Sequence, residues 1–198
     1  MFGVYKNFIK KHVSFNILEW KVLESKLSIK HLKKSETILH QGEICDQIYF
    51  INSGLVRAYV LDEDGKDFTW GVFFNDPNAT VTNLFVVDYD SFLHQKPSSM
   101  HIEALEDTEL VAVSYKDVQF LYSHSKKWER FGRLMTEAAY SYLHSQTIQR
   151  QIKSANARFA LFMEETPFLL EKVPQYHIAS FLGITPQHLS RLKKEYKN

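Results

Sequence analysis

One cysteine, Cys45, in 198 residues removes whole classes of chemistry from consideration. A lone thiol closes no internal disulfide, and the usual multi-cysteine zinc and iron–sulfur sites cannot be assembled from it. Its neighbours Glu43 and Asp46 would raise the thiol pKa, which argues against a redox sensor. No apolar run of about 18 residues occurs, and the N-terminal stretch lacks the short apolar centre of a secretory signal. The chain is therefore expected in the cytoplasm and away from membranes. Also absent are His-x-His, a Gly-x-Ser-x-Gly elbow, a phosphate-cradling glycine loop and His-Glu-x-x-His, so no enzyme activity is expected. Neither an internal repeat nor a low-complexity tract interrupts the sequence. Its 44% hydrophobic content suffices for one large or two small domains with real cores.

What is present concentrates at the C-terminal end. Apolar Ile178, Ala179 and Leu182 fall at helical spacing, and Gly183 follows where a left-handed residue ends a helix without a Cβ clash. Thr185 then suits an N-cap, Pro186 suits the first helical position, and Leu189 and Leu192 resume an inward stripe. Two short helices joined by so tight a turn must cross steeply, and small Ala179 permits close approach. The segment 173–198 thus reads as a helix-turn-helix. Its second helix turns Gln187, His188, Ser190, Arg191 and Lys194 outward, types that hydrogen-bond to base edges and phosphates. From Arg150 onward eight basic residues stand against four acidic ones, whereas the preceding part holds sixteen basic and nineteen acidic. The near-neutral total of +1 hides a basic end on a mildly acidic body.

Residues 4–34 are helical in pattern, with Phe15, Leu18, Trp20, Val22, Leu23, Leu27, Ile29 and Leu32 spaced for one or two amphipathic helices. Short alternating or apolar runs follow at 37–40, 47–52, 55–61, 68–74, 100–104 and 108–113, separated by Gly-, Asn-, Asp- and Pro-rich turns. Such strands imply a double-sheet roll or barrel. One or two short helices are expected over 115–125. A long helix over about 126–154 carries the stripe Trp128, Phe131, Leu134, Met135, Ala138, Tyr142, Ile148 and Ile152, of which Trp128, Phe131, Met135, Ala138 and Tyr142 are the candidate dimer contacts. A helix this long suggests a seam between two copies, or else a lid on the chain's own β-domain. A further helix runs from Ala155 to Glu165 and stops at Thr166-Pro167. The fold class is α+β, with an N-terminal roll and its helices at 1–124, a connecting and dimerising helix at 125–153, and a helix-turn-helix domain at 154–198.

This order of parts resembles the Crp/Fnr family of bacterial transcription regulators. The strings that carry the resemblance are Ile38-Leu-His-Gln-Gly-Glu43, Ile48-Tyr-Phe-Ile-Asn-Ser-Gly54, Asp64-Gly-Lys66, Val111-Ala-Val-Ser114 and Ile178 through Arg191. The match runs from about residue 15 to the end. It implies a jelly-roll sensor of the cyclic-nucleotide-binding type, a homodimer, and double-stranded DNA and RNA polymerase as partners. It further implies base contacts from Gln187, His188 and Arg191, and phosphate contacts from Thr185, Ser190 and Lys194.

Departures from the family pattern are specific. Cyclic-nucleotide binders use a Gly-Glu pair for the ribose and an Arg-Ser pair for the phosphate, because a desolvated phosphate needs a guanidinium or several N–H donors. In the stretches that should hold them, 75–85 and 95–100, the Gly-Glu pair is missing, and Ser98 stands where the arginine would be, followed by Ser99. No cofactor and no tight cyclic-nucleotide binding are expected. Tyr49, Phe73, Phe74, Phe85, Tyr89 and Phe92 hint at an apolar effector, although several suit the core. The candidate effector set is Tyr49, Phe74, Thr82, Asn83, Ser98 and Ser99. Haem-binding relatives use a histidine of the roll or long helix, and His94, His101, His124 and His144 are formal counterparts without ligand spacing. The sequence runs only to Asn198, so a β-hairpin wing after the recognition helix would be missing, and binding is expected to be modest and strongly salt-dependent. A ligand-binding roll without DNA binding and a cupin-like metal enzyme stand as the alternatives.

Overall fold

The computed structural model describes residues 2–197. Helix α1 (Gly3–Lys10) buries Tyr5 and Ile9. Helix α2 (Ile17–Glu24) opens on a capping box, in which the Asn16 side chain accepts from the Glu19 backbone N–H at 2.9 Å and the Glu19 carboxylate accepts from the Asn16 N–H at 2.7 Å. The helical pattern expected through residue 34 ends sooner. Residues Leu27–Leu32 form strand β1. Leu-Ser-Ile-Lys alternates with period two, and the strand pairs antiparallel with Thr108–Ser114, Leu27 opposite Val113.

The remaining strands follow the expected turns. They are β2 (Thr37–Leu39), β3 (Gln47–Ser53), β4 (Leu55–Leu61), β5 (Asp67–Phe74), the short β6 (Phe85–Val86), β7 (His101–Ala104) and β8 (Thr108–Ser114). They build two four-stranded antiparallel sheets, ordered β1-β8-β3-β6 and β2-β7-β4-β5. Between β3 and β4 the chain reverses at Gly54, whose φ of 102° suits glycine, and a Cβ there would lie 2.6 Å from the Thr108 backbone. The facing sheets enclose Phe50, Val56, Ala58, Phe73, Ile102 and Val111, which form the main core.

Helix α3 (Tyr89–His94) interrupts the second half of the roll. After β8 comes a single helix α4 (Tyr115–His124), capped by Ser114, and then the 27-residue α5 (Lys126–Ile152), about 40 Å long at 1.5 Å per residue. Gly132, inside α5, sits under the Tyr122 ring with no space for a Cβ. Four helices complete the chain: α6 (Ala155–Glu165), α7 (Leu169–Lys172), α8 (Gln175–Leu182) and α9 (Pro186–Lys197).

Strands β4 and β5 contain the stretches Leu55–Ala58 and Gly71–Phe74, in which every residue is buried. Alternation is lost because both faces of this sheet are covered. Val56, Ala58 and Phe73 face the roll interior, whereas Leu55, Val72 and Phe74 join Leu105 in a second apolar cluster with Phe159, Phe162, Leu169, Ile178 and Leu189. The C-terminal helices therefore share a core with the outer face of the roll. Strand β5 is a sheet edge, and α8 shields it: the Thr69 N–H donates to Ser180 Oγ at 2.8 Å.

Candidate nucleic-acid interface and ligand cavity

The two last helices are organised by the residues that mark the turn in sequence. Gly183 is left-handed at φ 66° and ψ 39°, and the Ile184 N–H returns to the Ala179 carbonyl at 2.9 Å, closing the end of α8. Thr185 Oγ1 accepts from the His188 N–H at 3.2 Å, so this threonine caps α9. Ile178, Ala179, Leu182, Leu189 and Leu192 are buried together. Thr185, Gln187, Ser190, Arg191 and Lys194 are exposed and His188 is half-buried. Among the described residues Arg191 pairs only with Glu195, at 3.9 Å and largely in water, a contact too weak to hold its guanidinium back. Arg158 fastens α6 to this unit by donating to the Leu182 carbonyl at 3.0 Å.

A buried ionic cluster joins the first of these helices to the roll. The Arg57 guanidinium contacts Glu103, its cross-strand partner, at 2.5 Å and Asp67 at 2.7 Å, and lies 4.0 Å from the centre of the Tyr59 ring. Its Nη1 also donates to Nδ1 of His177 on α8 at 2.7 Å. Arginine only donates, so His177 must be neutral with its proton on Nε2. Burial first, then the Arg57 charge, lowers the His177 pKa against the opposing pull of Asp67 and Glu103. Beside it the Tyr176 phenol is pushed up to about 12 by burial and by Asp67. The signal in sequence was a lone arginine inside the apolar run 55–61.

Within the roll, Ser98 is buried and its hydroxyl donates to the Asp88 carboxylate at 2.7 Å. Asp88, also buried, accepts from the Asp90 and Ser91 N–H groups at 3.1 and 3.2 Å and caps α3. A carboxylate thus takes the donors around the position where the family pattern seats a phosphate. These residues do not fit that anion. Ser99 is exposed, Tyr49 is half-buried on β3, and Phe74 stacks edge-on against Phe168 in the second cluster.

Thr82 and Asn83 instead line a cavity of about 960 Å³ between α1, β5, residues 80–87 and the second half of α5. Phe8, Trp70, Phe85, Met135, Tyr142 and Arg150 also border it. Arg150 was not singled out by the sequence reading beyond its charge. The stripe Trp128, Phe131, Met135, Ala138 and Tyr142 faces the chain's own roll: Trp128 and Phe131 are buried in the main core, and the other three line this cavity. The expected stripe does not run the whole helix: Ile148 and Ile152 are exposed with Tyr140 on the other side of α5, because at 3.6 residues per turn they fall round the helix from the face that carries Tyr142.

Cys45 is buried, and burial, with the charges of Asp88 and Asp46, pushes its thiol up to about 11. Of the histidines, His101 stacks on Tyr59, His124 on Phe120 and His144 near Tyr140, while His94 pairs with Asp90. Among the described residues no group of three or more His, Cys, Asp or Glu is placed to hold a metal. No helix among them is long and apolar enough to cross a membrane.

Residues 29–125 match the family model of the cyclic nucleotide-binding domain. Solved structures with the same arrangement include FixK2 from Bradyrhizobium japonicum, at 19% identity and a TM-score of 0.67 over 85% of this chain and 83% of that one. A protein described as a regulator of the crp/fnr family from Eubacterium rectale is 20% identical, with a TM-score of 0.67 over 92% and 84%. The chain shares the fold of these Crp/Fnr-family structures, and its roll is similar to the cyclic nucleotide-binding domain. Catabolite activator protein from Thermus thermophilus has the same fold at 18% identity, with a TM-score of 0.52 over 92% of this chain and 84% of that one. No curated protein sequence matches.

Proposed function

We propose that the chain is a dimeric DNA-binding transcription regulator of the cytoplasm, acting by binding rather than catalysis, whose roll responds to something other than a cyclic nucleotide. The observation that carries this reading is the exposed polar face of α9, with Gln187, Ser190, Arg191 and Lys194 turned out from a helix-turn-helix whose apolar side is fully buried. Side chains on such a face reach base edges and phosphates when the helix enters the major groove. The Asp88–Ser98 pair supports the absence of a cyclic phosphate site, because a second anion there would meet a buried carboxylate.

Pairing of two copies would use the free side of α5. Trp128 and Phe131 are spent on the roll, whereas Tyr140, Ile148 and Ile152 lie on the outer side, 69, 42 and 79% exposed. Such a seam sets two α9 helices against half-sites about 34 Å apart. Selection from a random duplex library, followed by gel shift, tests the reading. A recovered site with two-fold symmetry is expected, and recovery of no sequence above background would remove it.

A further inference from the structure

The cavity beside α5 contains a guanidinium without an acid. Arg150, half-buried on the last turns of α5, donates to the Trp70 and Phe181 carbonyls, at 3.3 and 3.5 Å, between the Phe68 and Phe181 rings, each 5.5 Å away. Among the described residues no carboxylate lies within 4.0 Å of it, whereas the more deeply buried Arg57 has two. Burial and the nearby Arg158 charge lower its pKa. Glu165 borders an adjoining hollow with Arg150 but makes no ion pair with it; a cation partly withdrawn from water with no carboxylate in contact is costly, and a bound anion would offset part of that cost. Other walls are mainly apolar, including Phe8, Phe73, Phe85, Met135 and Leu143. From Met135 to Arg150 the lining helix rises about 22 Å, at 1.5 Å per residue.

We propose that this cavity binds an amphipathic organic monoanion, a carboxylate or sulfonate on an aromatic or aliphatic body. The charged group pairs with Arg150, and the body lies along α5 toward Phe85 and Phe8. Its position differs from that of the phosphate seat around Ser98, which Asp88 already fills. Arg150 belongs to α5, Trp70 to β5 and Phe181 to α8, so an anion here grips the sensor, the long helix and the helix-turn-helix at once. It therefore favours the arrangement in which the three meet. If that arrangement is the DNA-binding one, the anion and the duplex tighten each other equally. The inference rests on the regulator reading only for this last consequence.

The probe is 1-anilinonaphthalene-8-sulfonate, with uncharged N-phenyl-1-naphthylamine as its neutral counterpart, both read by energy transfer from tryptophan. Saturable binding of both is expected on the full chain. Arg150→Met should weaken the sulfonate at least tenfold and leave the neutral probe unchanged, which also shows that the variant is folded. Arg150→Lys should fall between, and Ala138→Trp, which fills the cavity from α5, should weaken both probes. Equal sulfonate affinity in Arg150→Met and the parent overturns the proposal, as does sulfonate binding that survives Ala138→Trp. Sulfonate affinity that falls as protein concentration rises would seat a second copy in the cavity and overturn it too. Duplex binding without probe tests the regulator reading separately.

Discussion

His177 couples proton chemistry to the docking of α8 because its Nδ1 accepts a hydrogen bond from a guanidinium that is itself buried. Protonation would set two cations face to face, with Arg57 on one side and Asp67, 3.8 Å away, and Glu103 compensating only in part. The pKa of the folded state lies below the ordinary histidine value of about 6.5. Stability from this contact is therefore complete above about pH 6.5 and is lost as pH falls through the depressed value, where the unfolded chain takes up a proton that the folded chain refuses. His177→Gln keeps an acceptor for Arg57 and removes the titration. Thermal melts between pH 5 and 8 should show the parent losing stability relative to this variant on acidification, and parallel curves would contradict the assignment. On the other face of the helix pair, Arg191→Ala should cost about 1–3 kcal/mol at the preferred duplex if the guanidinium bridges guanine O6 and N7. Equal loss on every duplex, measured by fluorescence anisotropy, would move Arg191 to phosphate.

At the scale of elements, much of the roll was legible because its strands are bounded by turn residues such as Gly54 and Asp62 through Gly65. The helix-turn-helix was legible because Gly183, Thr185 and Pro186 each impose one backbone conformation. Strand β1 was misread for a physical reason: Trp20, Leu23 and Leu27 continue a helical stripe into the strand, and only the pairing with β8 decides between the two periods. The α5 stripe illustrates a similar ambiguity. Its period was plain, but period alone does not say whether a face meets the chain's own roll or a partner. Trp128 and Phe131 went to the roll, which leaves Tyr140, Ile148 and Ile152 for the proposed seam. Ile148→Glu should shift the chain toward monomer in sedimentation equilibrium, because like charges would face each other across the seam, while thermal stability of the isolated protomer stays nearly unchanged. A parent chain that is monomeric at micromolar concentration would contradict the seam.

For the molecule as a whole, the feature hardest to read was the docking of the C-terminal helices on the sheet. Arg57 and His177 are 120 residues apart, and neither residue alone announces the other. In retrospect, the unbroken burial of Gly71 through Phe74 marks a sheet with both faces covered. Asp88 was equally hidden, since the sequence pattern locates the seat of a phosphate but not the carboxylate that occupies it. In the arrangement where the helix-turn-helix docks on its sensor, the proposed seam along α5 would set the spacing between two α9 helices. Hydroxyl-radical footprinting of the chain on its selected duplex reads that spacing directly. Two protected patches on one face of the DNA, about 34 Å apart, are predicted. A single patch, or uniform protection along the duplex, would contradict the account.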